Sequence, residues 1–123
     1  MDVTSKELVM QFDEGDEVVG SIMQALQDNH VQWAVFSSVS GRVRDFDVSF
    51  LQAGKLQKKH FDDEHKWISI SGDVKLREGK GYVPNIIIGL SNLEGSKALG
   101  GQLHSGHAGK ELVIRATIKA PRE

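Results

Sequence analysis

Only one stretch of this chain carries helical spacing, and nearly everything after it is written at strand period. In DEGDEVVGSIMQALQDNH, residues 13–30, Val18, Val19, Ile22, Met23 and Leu26 recur at i, i+1, i+4, i+5 and i+8, which gathers them on one helix face. Asp13 is the expected N-cap, and the acids through Glu17 complement the positive end of the helix. Asn29 and His30 suit its C-terminal end. A helix of this kind hides one face of a sheet. Several of the strand-like segments have apolar residues on both parities, so the sheet offers more apolar surface than one helix can cover.

Those segments follow one another closely. ELVMQF at 7–12 and VQWAVFSSVSG at 31–41 have strand density. From 43 to 51, Arg44, Phe46, Val48 and Phe50 alternate with Val43, Asp45, Asp47 and Ser49. QAG at 52–54 is a turn, and the lysine-rich KLQKKHF suits a sheet edge, where charge discourages unwanted pairing. WISISG at 67–72 alternates, REGKG at 77–81 turns, and VPNIIIGL is an apolar run expected to be covered on both sides. ELVIRATI closes the pattern with Leu112, Ile114, Ala116 and Ile118 on one side. The glycine-rich stretch between the last two, KALGGQLHSG, is expected to bend. One domain over residues 1–123 follows, with no repeat, linker or low-complexity tract.

Composition narrows the function classes. With no cysteine there is neither a disulfide framework nor a thiolate site. The chain shows no secretory pattern and no apolar window of membrane-spanning length, so a cytoplasmic protein with no membrane role is expected. The net charge of −2 lacks the basic excess that phosphate contacts call for, which leaves direct nucleic-acid binding with little support.

Chemistry-bearing patterns are few. Gly100-Gly101-Gln102 lacks the Gly-Lys-Ser/Thr ending of a phosphate loop. His104 and His107 lie three apart and could hold a metal with Glu111, although Ser105 and Gly106 stand between them. The serines at 37, 38 and 40 lie in no nucleophile elbow. Asp45, Asp47, Asp62 and Asp63 offer carboxylates with no evident partner acid, and a solvated or interface face is the simpler role for the first two. No catalytic residue is assigned.

Taken in order, the segments resemble the plant-and-prokaryote-conserved (PPC) domain from about Val9 to Ile118. The resemblance rests on EGDEVVGSIMQALQDNHVQWAVFSSVSGRVRDFDVSF, on ISISGDVKL, and above all on VPNIIIGLSNLEGSKALGGQL followed by KELVI. Gly100, Gly101 and Leu103 sit where that family has Gly-Gly-His-Leu. It implies an α+β fold: a sheet of about seven strands, mixed or antiparallel, with one main helix, shorter flanking helices and trimeric assembly. It also implies a pocket in which some prokaryotic relatives hold zinc with three histidines. Here those positions are Asn85, Ile87 and Gln102, so no metal or other cofactor is expected there. Gln102 and Asn85 can still exchange hydrogen bonds, and Glu111 corresponds to a recurring acid of the family's last strand. The plant members' AT-hook, Arg-Gly-Arg-Pro, is not matched by SGRVRD.

The expectation is therefore a homotrimeric, non-enzymatic module, regulatory or associated with DNA through a protein partner. The strands at 43–50 and 67–72 are the expected interface contributors. The alternative is a small-molecule binding protein or enzyme with an inter-subunit polar pocket around Asn85, Gln102, His104 and Glu111.

Overall fold

The computed structural model describes residues 3–121. The chain runs β1 (Val3–Gln11), α1 (Val18–Asp28), β2 (Trp33–Ser40), β3 (Arg42–Gln52), β4 (Lys55–Phe61), β5 (His65–Arg77), β6 (Gly81–Asn92), β7 (Ala98–Ala108) and β8 (Val113–Pro121). The strands form one sheet in the order β1-β8-β2-β5-β6-β7-β3-β4, with an additional β5–β3 pairing. That extra contact, Arg42↔Lys66 and Val43↔His65, joins β5, β6, β7 and β3 into a ring. As the lysine pattern predicts, β4 is an edge strand.

This architecture corrects the expected α+β sheet of about seven strands with flanking helices. There are eight strands, all their pairings are antiparallel, and α1, 11 residues long, is the single α-helix among the described residues. The uncounted strand is the glycine-rich stretch. Instead of bending, residues 98–108 pair with β6 on one side and β3 on the other. Glycine is needed because the neighbours press close: a Cβ on Gly101 would collide with the carbonyl oxygen of Ser49. At Gly106 a Cβ would stand 3.0 Å from the Cβ of Phe46. The same residues that weaken a strand's sequence signal permit this one.

The helix starts later than expected. Glu17, not Asp13, is the N-cap, its carboxylate accepting from the backbone N–H of Gly20 at 2.7 Å and of Val19 at 3.1 Å. Asp13 is spent on a turn: Asp16 N–H donates to its carbonyl at 3.0 Å, and the turn is tied to β7 through Gly15 N–H and Asp16 O, each 2.8 Å from Ala108. At the other end Asn29 caps and His30 takes a left-handed φ of 52°.

Val18, Ile22 and Leu26 of α1 join Phe46, Val48, Ile86, Leu90, Leu112, Ile114 and Ile118 in the core. Tyr82 donates its hydroxyl to the carbonyls of Val31 at 2.6 Å and Leu26 at 3.2 Å, so the inward parity of β6 meets the helix. The run VPNIIIGL is accordingly one-sided within the chain: Ile86, Ile88 and Leu90 are buried, while Asn85 and Ile87 face outward. No described helix is long and apolar enough to cross a membrane.

Candidate functional site

The outward parity of the central strands carries the polar residues singled out in the sequence. Ile87 on β6 lies directly opposite Gln102 on β7, and Asn85 is two residues along on the same side. His104 follows at the bulge between the Leu103 and Ser105 pairings, and its Nε2 meets Ser49 Oγ of β3 at 2.8 Å. Asn85 and His104 are exposed, Gln102 half-buried. The three therefore share an open face of the sheet, which on this chain alone is a surface and not an enclosed pocket.

Glu111 does not join them. It sits in the turn before β8 with a left-handed φ of 56°, against Gly41, in a cleft that Arg42, Lys66, Trp67 and Ile68 also line. The set His104, His107 and Glu111 is likewise not brought together. His107 turns to Asp45, its Nδ1 3.0 Å from the Asp45 carbonyl, while His104 turns to Ser49. The chain order placed all three near one another, but the β7 bulge and the left-handed turn send them to different partners.

A second constellation lies where β3, β4 and β7 meet. His60 Nδ1 is 2.8 Å from Asp47 Oδ1, and its Nε2 is 2.9 Å from both Asp45 Oδ1 and Asp62 Oδ1. Ser105 donates its hydroxyl to Asp47 Oδ2 at 2.8 Å. Hydrogen bonds from Ser105 and His60 hold the Asp47 carboxyl below the ordinary carboxylate range. The hydrogen bonds to Asp47 and Asp62 raise His60 above the usual imidazole value. Sequence reasoning left these aspartates without partners. The signal was in the turn: with Gln52 opposite Lys55, counting back along the hairpin sets Asp47 opposite His60.

With this geometry in place, comparisons identify the fold. The sequence profile of the Plants and Prokaryotes Conserved (PCC) domain, the PPC domain of the resemblance above, matches residues 2–117. No curated protein sequence matches the chain. The fold is similar to that of a plant- and prokaryote-conserved protein of Pyrococcus horikoshii, at 17% identity and a TM-score of 0.79, covering 99% of this chain and 84% of that one. It is also similar to a metal-containing protein of Archaeoglobus fulgidus, at 19% identity and TM-score 0.77, covering 95% of this chain and 81% of that one. A protein of Bacteroides thetaiotaomicron, provisionally described as DNA-binding, matches at 11% identity and TM-score 0.77 over 98% of this chain and 86% of that one.

Proposed function

This chain belongs to the Plants and Prokaryotes Conserved domain family, and on that premise we propose that it is a non-enzymatic, self-associating module, a homotrimer whose outer sheet face packs against its own copies. The observation that carries this reading is the apolar content of the face that α1 leaves uncovered. Val35, Ile68, Val83 and Ile87 stand on it with 38%, 61%, 38% and 39% exposure, amounts that leave much of each side chain to be hidden by a neighbour. Hiding apolar surface contributes about 25 cal/mol per Å², before the cost of association. Of the strands expected to contribute, β5 sets Ile68, Ser69 and Ser71 on this face and β3 sets Ser49 there, which supports that reading.

A regulatory or assembly role follows, with DNA reached through a partner protein. The relative provisionally described as DNA-binding motivates that association, and the net charge of −2 argues against direct phosphate contacts. A second reading, ligand binding between subunits, is favoured by the placement of Asn85, Gln102 and the Ser49-bound His104 beside Ile87 on this face. Ile87→Glu tests the assembly. A carboxylate there would have to be desolvated in the interface, so the variant is expected to sediment below the mass of the native protein while keeping its far-ultraviolet spectrum. An unchanged assembly in the variant would remove Ile87 and its face from the interface.

A further inference from the structure

We propose that Asp45, His60 and Asp62 form a binding site for one divalent transition-metal ion of the zinc class, separate from the β6–β7 row. Each ligand is set by the β3–β4 hairpin. The register places Asp47 opposite His60, and Asp45 N–H donates to the Asp62 carbonyl at 3.3 Å, which sets Asp62 beside Asp45. The β3 backbone bulges between Arg44 and Asp47, with Asp45 at a left-handed φ of 49°, and the Asp45 carboxylate thereby reaches the same imidazole.

The convergence of ligand atoms on His60 suits a bound cation. His60 Nδ1 is 2.8 Å from Asp47 Oδ1, and Asp47 Oδ2 is itself held by Ser105 at 2.8 Å. With a proton on Nδ1 donated to Asp47, neutral imidazole presents a lone pair at Nε2. That nitrogen faces two carboxylate oxygens, both at 2.9 Å, and three electron-rich atoms cannot converge without a positive charge among them. Either a second proton on His60 or a metal ion supplies it. The three ligand atoms lie within 4.8 Å of one another, and the 2.9 Å from the imidazole nitrogen to each oxygen is a separation that two zinc bonds of about 2.0–2.2 Å can bridge.

The surroundings fit the metal. A carboxylate on the far nitrogen of a ligating histidine is the usual outer-shell partner, and Asp47 occupies that place with Ser105 behind it. His107, from a third strand, steadies Asp45 through its carbonyl at 3.0 Å and Oδ2 at 3.4 Å. One imidazole with two carboxylates suits zinc better than magnesium or calcium, which favour all-oxygen shells. Three protein ligands leave a fourth position for water or an exogenous donor. Asp62 has 87% of its side chain exposed, so an ion enters directly from solvent.

The test uses the full chain, freed of metal by dialysis against a chelator and then titrated with zinc chloride by calorimetry, with bound zinc counted by elemental analysis. One ion per chain is expected, with no comparable binding of magnesium. His60→Ala and, independently, Asp62→Asn should remove saturable binding; both positions are on or beside the exposed edge strand, and circular dichroism checks that each variant is folded. Asp47→Asn keeps all three ligands and should weaken affinity roughly 10- to 100-fold. The double variant Asn85→Ala, Gln102→Ala should bind as the native chain does. No saturable zinc binding would show that a proton alone holds the cluster together and overturns the site. Binding that survives His60→Ala, or that is lost with Gln102, would overturn it equally.

Discussion

Phe46→Ala is expected to destabilise the protein by about 3–5 kcal/mol, the cost of a large buried aromatic removed from a site that cannot collapse around the gap. Phe46 is completely buried. Its ring stacks on Phe61 at 5.3 Å between centroids and meets the edge of His65 at 5.1 Å. Gly106 passes so close behind that one added carbon there would already touch Phe46, and glycine itself has no side chain to fill the void. Because Phe46 lies between Asp45 and Asp47, the loss should also loosen the β3–β4–β7 junction. Since domains of this size are typically stable by about 5–15 kcal/mol, this single change approaches the threshold of unfolding. Denaturant unfolding at fixed protein concentration reads the effect, and Phe46→Leu should recover part of it. A loss below about 1 kcal/mol would mean the cluster repacks freely.

The second large effect is a gain. Asn85→His, Ile87→His and Gln102→His together should bind one zinc ion per chain beyond whatever the parent protein binds. Ile87 and Gln102 are direct cross-strand partners, and Asn85 shares their face two residues away. Directly opposed residues have Cβ atoms about 4.5–5.5 Å apart, within reach of a shared ion. An ion bound only by the folded state stabilises it by about 2.7 kcal/mol at a hundredfold excess over Kd, roughly a 10 °C rise in Tm for a chain of this size. Placing the variant in a His60→Ala background separates this ion from the one assigned to the hairpin. No extra zinc would show that the three outward positions do not converge.

Those three positions came from the family resemblance, since VPNIIIGL by itself reads as covered on both sides and its parity shows only in the structure. Ile86, Ile88 and Leu90 assign the inside of β6, and Asn85 and Ile87 are outside by alternation. The helix, by contrast, was legible from the spacing of its apolar residues, with Val18, Ile22 and Leu26 buried as expected. Strand β7 was not. Gly100, Gly101 and Gly106 supply no side chains to alternate, and their role is visible only once Ser49 and Phe46 are seen pressing against them. The N-cap was misplaced because Asp13 and Glu17 are both acids ahead of an apolar run, and only the tie of 15–16 to Ala108 distinguishes turn from helix. Among candidate site residues, Asn85, Gln102 and His104 fell together because two neighbouring strands carry them. Glu111 was separated by a left-handed turn that a non-glycine residue seldom adopts and that its sequence does not announce. The Asp45–His60–Asp62 group was readable in principle from the QAG turn, apart from the bulge that turns Asp45 toward the imidazole.

The reading of the chain as a self-associating module rests on what covers the outer face of β2, β5 and β6. Sedimentation equilibrium of the native protein, over a range of concentrations, addresses that directly. Three chains of 13.6 kDa should appear as a single species of about 41 kDa whose mass holds on dilution. A species of 13.6 kDa at every concentration would contradict the account, leaving Val35, Ile68, Val83 and Ile87 exposed to water on a monomer.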